Sequence, residues 1–526
     1  MNYLSNFRYN HAANSDPSTM KNCSIIPHFL SALILSAGLS ACGGGGGGAS
    51  SPAPTPAPAS TYLIGGNLSG LASGTQITLQ NNSADALTLT ANSAFNFATK
   101  VASNGSYKVT ISSQPAGQTC TVNSANSSGS SVTADVSSVS VTCVYQSALP
   151  LSMLHASGTK IVDATGAAIQ LRGVNLGGWF IMEKWMAPLD SGNLIDTYSV
   201  IQKLDTRFGV AAEQSLINTY QQSWITTTDL DNIKNAGFNL VRVPVWWGQF
   251  YPLNNTSNAA WRADAFTMLD WLVTNAAARG IYVIIDMHGV VGGQSTSDDT
   301  GYANQNTYWT DAGNQASTAF MWSQIAAHYN GNPAVAGYDL LNEPMGAPNS
   351  AAVITAYNNL YKTVRAADSN HLIFLEGTFG TWSWNNLPAP SQNGWTNVVY
   401  EMHEYQYNST AAQVTAGSDN QVSDFINHAS WNVPGYIGEY NDFGYGAPAW
   451  QHSINAYDNA GLSWSSWSYK AIAGPAPNSW GWYDPTNSAA ITPNISTDSA
   501  ATSASDWQQW TTTASFGLNT SLNLRP

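Results

Sequence analysis

Charge is scarce along this chain: only 9% of its 526 residues are Asp, Glu, Lys or Arg, where about 25% is usual. Its surface must therefore be covered by Ser, Thr, Asn and Gln. Basic side chains are scarcest, 17 Lys and Arg against 31 Asp and Glu. The net charge of −14 argues against nucleic acid or an anionic membrane as partner and favours a neutral substrate over a polyanion. Long hydrophobic runs are also missing. The apolar stretch Phe29 to Leu39 is cut short by Pro27 and His28, so no span of roughly 20 residues forms there. Tryptophan, with 20 copies in the chain, is absent between residues 61 and 147.

What stands at the amino terminus reads as an address. Met20-Lys21 followed by Phe29 to Leu39 has the charged and apolar regions of a signal peptide, with Met20 the expected start. Leu39-Ser40-Ala41-Cys42 resembles the bacterial lipobox, which implies a lipid on Cys42, and Gly43 in place of an aspartate implies an outer-membrane destination. Residues 1–42 are thus assigned to the upstream part and signal. Residues 43–60 form a linker, glycines first and then Ser51-Pro52-Ala53-Pro54-Thr55-Pro56-Ala57-Pro58, flexible and then extended. With Cys23 in the signal and Cys42 lipidated, Cys120 and Cys143 remain as a pair expected to form a disulfide in an oxidising compartment.

Residues 61–147 show short alternating runs between Gly, Asn and Ser: Gln76 to Leu79, Leu87 to Thr90, Tyr107 to Ile111, Val139 to Cys143. A small all-β, immunoglobulin-like sandwich is predicted. Because it lacks tryptophan, and because Phe95, Phe97 and Tyr107 sit at core spacings, a spacer is favoured over a sugar-binding module.

Residues 148–526 change pattern. Eight strand-like runs (170–179, 239–245, 282–289, 335–344, 371–377, 398–405, 436–441 and 463–470) alternate with helical stretches such as 265–279, 315–329 and 353–368. That order predicts an α/β fold, a parallel (β/α)8 TIM barrel whose chemistry sits at the C-terminal strand ends. Two of these runs, Asp339-Leu340-Leu341-Asn342-Glu343-Pro344 and Tyr436-Ile437-Gly438-Glu439-Tyr440, each deliver a glutamate near a strand end. Two such carboxyl groups, one acid and one nucleophile, are what retention at a glycosidic carbon requires.

From about Ala156 to Leu522 the chain resembles glycoside hydrolase family 5, the cellulase and β-glucanase family. The resemblance lies in family-type residues at successive strand ends, in order. It implies Glu343 as acid/base and Glu439 as nucleophile. Arg242, in Asn239-Leu240-Val241-Arg242-Val243-Pro244, would orient the nucleophile. His288, in Asp286-Met287-His288-Gly289, would shape the reacting-sugar subsite, and Asn342 would bind the sugar 2-hydroxyl. In Met402-His403-Glu404-Tyr405, Tyr405 would bond the nucleophile and His403 would sit near the acid/base. Trp467 would floor the subsite, and Glu183 would hold a sugar hydroxyl. The negative charge of Glu439 is expected to raise the pKa of Glu343. Glu376, Glu401 and Glu404 are weaker candidates, Glu404 because strand alternation turns it away from the interior.

The run Leu171-Arg172-Gly173-Val174-Asn175-Leu176-Gly177-Gly178-Trp179 resembles the exo-β-1,3-glucanase branch, while Pro244-Val245-Trp246-Trp247 departs from it. β-1,3-Glucan is therefore the favoured substrate, with β-1,4-glucan as the alternative and endo or exo action open. A transglycosylase or a non-catalytic sugar-binding protein on the same fold are the rival readings. No metal or organic cofactor is expected. The remaining expectations are a polysaccharide or oligosaccharide partner, no nucleic acid, membrane attachment only through the N-terminal lipid, and a monomer. Trp309, Trp382, Trp384, Trp480 and Trp482 fall in post-strand loops, as sugar platforms or as packing.

Overall fold

The structure, a computed structural model, describes residues 60–71, 75–115, 118–145, 151–407, 409–472, 480–520 and 522. The signal, lipobox and linker expectations, Cys42 included, lie outside the described residues. The described residues all belong to one unit, Ala59–Pro526.

Residues 61–145 form two four-stranded sheets. Ile77–Asn81 lies between Asp85–Leu89 and Tyr107–Ser113. In the other sheet Ile64–Ser69 lies beside Val136–Tyr145, with which it runs parallel. Alternation buries one face of each: Ile64, Leu68, Ile77, Leu79, Val109, Val139 and Val141 share one core with Phe95, Phe97 and Tyr107. The three aromatics are thus interior, as their spacing predicted. Cys120 and Cys143 face each other on adjacent antiparallel strands and are joined by a disulfide.

Eight parallel strands close a barrel: β1 (Arg172–Asn175), β2 (Leu240–Trp246), β3 (Tyr282–Gly289), β4 (Val335–Asp339), β5 (Leu372–Glu376), β6 (Val398–Tyr405), β7 (Gly435–Asn441) and β8 (Ser463–Ser466). β8 returns to pair with β1. Every residue of β2, β3, β6 and β7 is buried, as expected when helices cover the outside and side chains fill the inside. Among the covering helices are α1 (Thr197–Phe208), α2 (Val210–Trp224), α3 (Thr227–Asn235), α4 (Thr267–Ala277), α5 (Ala312–Tyr329), α6 (Ser350–Ala367), α7 (Ala411–Asn427) and α8 (Gly446–Ala460). Their starts follow local chemistry: Asp311 and Asn349 cap α5 and α6, and Thr410 with Gln413 forms a capping box on α7.

The lower interior is apolar. Leu171, Leu240, Ile284, Ala336, Leu372, Phe374 and Val399 pack with Leu154 and Ile161 of the hairpin His155–Ser157/Lys160–Val162, which closes the N-terminal end. Polar chemistry is thereby left to the other end. All eight predicted strands are present, with one difference that matters. β4 stops at Asp339, and Glu343 lies four residues beyond it rather than on the strand. Similarly, β8 ends at Ser466 and Lys470 follows it in a loop. Lys470 is buried over the rings of Trp224 and Phe516, at 4.5 and 4.8 Å, and donates to Thr512 Oγ1 at 2.9 Å. It fastens the C-terminal segment to the barrel.

Candidate active site

The site grows from one buried cation. Arg242, third along β2 and fully buried, points inward because its neighbours Val241 and Val243 face the helices. Its Nη1 donates to Glu439 Oε1 at 2.8 Å and to Asn175 Oδ1 at 3.1 Å. Its Nη2 donates to Asp339 Oδ2 at 2.7 Å and to Asn342 Oδ1 at 2.8 Å, and its Nε to Asp339 Oδ2 at 3.0 Å. Asp286 lies 3.1 Å away and Glu401 3.4 Å. Burial works against the guanidinium charge, yet this ring of carboxylates holds its pKa well above the usual value.

Glu439 receives a second hydrogen bond, from Tyr405 Oη to Oε2 at 2.8 Å. Both of its oxygens are therefore held, and only 7% of its side-chain surface meets solvent. Across from it, Glu343 Oε1 lies 2.8 Å from His403 Nδ1, and the Glu343 side chain is 22% exposed. The same His403 nitrogen is 3.5 Å from Glu439 Oε2. Two oxygens that near one atom stand at most about 6.3 Å apart, room for the roughly 5–5.5 Å of direct attack and short of the roughly 6.5–9.5 Å that an intervening water needs.

The surroundings set protonation. Glu343 is raised above the ordinary carboxylate value, with burial the largest cause; His288 and Arg242 pull it down and Asp286 pushes it up. The sequence argument had assigned that rise to the charge of Glu439. Loss of water around the carboxyl is the dominant cause instead. Burial lowers His403 to about 3, so its imidazole is neutral. His288 goes the other way: burial opposes its charge, but Asp286, 2.7 Å from Nδ1, holds it up to about 9. Glu183 is raised to about 8, first by burial and then by Asp299, and accepts from Trp185 Nε1 at 2.7 Å.

Backbone geometry places Glu343. Its φ is +35°, a left-handed value unusual for a side-chain-bearing residue and characteristic of sites that over-determine their geometry. Glu376 at the end of β5 holds it there, its Oε2 accepting the Glu343 N–H at 2.5 Å. The Glu376 carboxyl is fully buried and raised well above the normal range, chiefly by burial and next by Glu343. Among the described residues, Glu343, Glu376 and His403 are the one group whose ligand atoms, all within 4.8 Å of one another, would suit a metal ion.

The structure brings all nine predicted residues to this end of the barrel. His288 stacks with Trp467, ring centroids 5.4 Å apart and 12° from parallel, and Asn342 Nδ2 lies 3.5 Å from His288 Nε2. Glu404 faces away from the interior, as alternation predicted, and bonds Gln406 at 2.8 Å. Trp384 and Trp482 are packing residues, 1% and 4% exposed, whereas Trp382 and Trp480 ring the mouth with Tyr405, Phe443 and Trp185. The sequence reading missed Asn175, which ties Arg242 to the Gly438 carbonyl (2.8 Å). It also missed Gln294, which donates to the His288 and Asn342 carbonyls. Asn175 was findable as the last residue of β1; Gln294 carried no signal in the linear pattern.

Fold and site together define a (β/α)8 barrel carrying a paired-carboxylate centre at its C-terminal rim. Residues 202–472 match the cellulase family, glycosyl hydrolase family 5, and the chain belongs to it. It is 28% identical over 257 residues to a beta-xylosidase of Phanerodontia chrysosporium, covering 48% of this chain and 52% of that relative. It is 30% identical over 275 residues to a probable glucan 1,3-beta-glucosidase A of Aspergillus niger, covering 49% and 63%. A glucan 1,3-beta-glucosidase of Candida oleophila is 28% identical over 338 residues, covering 58% and 76%. The chain thus spans between half and two thirds of the length of the first two. The solved rutinosidase of Aspergillus niger shares the fold with a TM-score of 0.50 at 16% identity, covering 59% of this chain and 93% of that one. Among the described residues no helix is long and apolar enough to cross a membrane.

Proposed function

We propose that the chain is a retaining glycosidase that cleaves β-glucosidic bonds of a β-glucan, β-1,3-glucan first. The observation that carries this reading is the convergence of Glu343 Oε1 and Glu439 Oε2 on one neutral imidazole nitrogen, at 2.8 and 3.5 Å, with Glu439 fixed by Arg242 and Tyr405. In the first step Glu439 attacks the anomeric carbon as the bond to the leaving oxygen breaks, and Glu343 gives that oxygen its proton. In the second, Glu343 takes a proton from water, whose oxygen attacks the same carbon and releases Glu439. Asn342, held by Arg242 at 2.8 Å, would bond the 2-hydroxyl as positive charge develops.

The preference for β-1,3-glucan is supported by the names of the Aspergillus and Candida relatives and by the run 171–179. The Phanerodontia relative's name makes a xyloside a necessary control. The test is hydrolysis of laminarin, lichenan, carboxymethyl-cellulose, pustulan, mannan and an aryl xyloside, with the configuration of the fresh product read by NMR. One glucan cleaved with retention, and spared by Glu343→Gln and Glu439→Gln, supports the reading. Inverted product, or turnover near wild-type in either variant, refutes it. Transfer products at high substrate concentration would favour the transglycosylase reading. The same proposal has the chain exported as an outer-membrane lipoprotein anchored at Cys42 and acting as a monomer, with residues 61–147 as spacer. Labelled-palmitate incorporation that persists in Cys42→Ala would refute the anchor.

A further inference from the structure

At the Glu343 end of the site, donor atoms of three residues converge. His403 Nδ1 lies 2.8 Å from Glu343 Oε1 and 3.4 Å from Glu376 Oε1. One ligand atom from each residue stands within 4.8 Å of the other two. Around a tetrahedral ion with arms of about 2.0–2.2 Å, ligand atoms lie about 3.4 Å apart. The His403 and Glu376 atoms already have that spacing, and Glu343 needs only a small adjustment. Glu343 is also the arm with room to move: its side chain is 22% exposed, whereas His403 and Glu376 are fully buried. An ion enters past it.

The donors are unspent. Glu376 Oε1 is buried without a hydrogen-bond partner, while its other oxygen accepts the Glu343 N–H at 2.5 Å and pins the carboxyl. Glu439 Oε2 is 3.5 Å from the same histidine nitrogen but is already taken up by Tyr405. The imidazole of His403 is neutral because burial opposes its charge, so one of its nitrogens offers a lone pair. Glu401 Oε1 lies 3.6 Å from Nε2, which favours the proton there and leaves Nδ1, facing the two glutamates, as the donor. A carboxylate behind the far nitrogen is the usual support of a metal-bound histidine. Charge points the same way. Six carboxyl groups, those of Asp286, Asp339, Glu343, Glu376, Glu401 and Glu439, gather around two cations, Arg242 and His288, and a further cation would reduce that buried excess.

One imidazole nitrogen and two carboxylate oxygens, with a fourth position open to water, suit zinc. Magnesium and calcium take shells of oxygen alone. We infer that Glu343, Glu376 and His403 form an inhibitory zinc site, in which the ion ties up the carboxyl of Glu343 and stops turnover. Protons held by the two glutamates leave to solvent as the ion binds. The site stands on its own geometry; the inhibition rests on the glycosidase reading, in which Glu343 is the acid/base.

The probe is zinc chloride alone, titrated calorimetrically into the full chain after dialysis against a chelator. We expect one such ion per chain, an X-ray absorption spectrum with one imidazole nitrogen and carboxylate oxygens at about 2.0–2.2 Å, and loss of glycoside turnover over the same zinc range, restored by EDTA. Glu376→Gln should weaken the binding by at least about a hundred-fold and Glu401→Gln, which removes only the support behind the imidazole, by about ten-fold, with circular dichroism confirming that both variants are folded. The exposed pairs His328–Asp270 and His452–Asp419 are rival zinc ligands. Binding unchanged in Glu376→Gln but lost in His328→Ala or His452→Ala overturns the site, as does zinc held no tighter than about 1 mM. Should Glu376→Gln not fold, the wild-type spectrum decides: a shell without imidazole, or with two, overturns the site. Zinc bound as expected with turnover untouched overturns the inhibition. If the wild-type chain is silent on every glycoside, the glycosidase reading fails instead, and calorimetry with the absorption spectrum still judges the zinc site.

Discussion

On the proposed reading, Glu343 and Glu439 are the same side chain given opposite tasks by their neighbours. Glu439 has a guanidinium at 2.8 Å and a phenol at 2.8 Å, which hold both of its oxygens in place. Glu343 has a neutral histidine and loses water, which favours the acid. Their amide variants should therefore fail differently. Glu439→Gln removes the nucleophile, and we expect turnover of every substrate to fall by at least about a thousand-fold. Glu343→Gln removes a general acid, about 10² to 10⁴-fold on a poor leaving group, but far less on an aryl glucoside whose phenolate departs without a proton. Steady-state rates on laminarin and on a dinitrophenyl glucoside, side by side, check both. Equal losses on the two substrates in Glu343→Gln would reject the acid role. Circular dichroism and melting curves close to wild type would exclude unfolding as the cause.

Strands and their packing were the most legible part of the sequence, because barrel strands covered by helices are apolar runs that end in polar residues. All eight could be read, together with the disulfide pair. What escaped the reading depends on contacts between strands. Glu343 was placed on β4, but the strand stops at Asp339 and the glutamate is aimed by a left-handed backbone and by Glu376, neither of which a linear pattern encodes. Glu401 is the weaker candidate in the sequence, yet it lies 3.4 Å from Arg242, over Gly438, which the pairing of β6 with β7 skips. A Cβ at 438 would collide with the Glu401 carboxyl, which is fully buried. We expect Gly438→Ala to destabilise the barrel by about 1–3 kcal/mol and to lower activity by displacing Glu439 next to it. Calorimetric unfolding checks the first; a wild-type melting curve would show that the pocket yields. The other module offers a separate case. Cys120 and Cys143 close a loop of separation 23, and replacing both by serine should cost the sheets of residues 61–145 about 3 kcal/mol while leaving glycoside turnover by the barrel intact.

Over the molecule as a whole, the acidic surplus is partly hidden in the interior, and this sets how stability changes with pH. Burial raises Glu183 to about 8 and Asp339, Asp299, Glu213 and Asp442 to about 7, each helped by a neighbouring carboxylate. Unfolded, these groups would lose their protons near pH 4 to 4.5. A raised folded pKa means the folded chain holds more protons, so the stability they contribute is complete below the unfolded value and is lost as pH rises through the folded one. His288, raised to about 9 from an unfolded value near 6.5, acts with the same sign between those limits. His403, lowered to about 3, acts with the opposite sign, but only between about 3 and 6.5. Lys470, lowered to about 8 by burial, favours folding only as pH climbs from about 8 towards its unfolded value near 10.4. Between pH 6.5 and 8 every perturbed group just named either destabilises with rising pH or is silent. From about pH 4.5 upward the five raised carboxyls outweigh the single His403, so we expect the melting temperature to fall steadily, by several degrees in all, from about pH 5 to pH 8. Differential scanning calorimetry at constant ionic strength measures this. A melting temperature that rises across that window would mean the buried carboxyls are already ionised and paired in the folded state. That result would also remove the basis for a protonated Glu343, since the same loss of water raises them all.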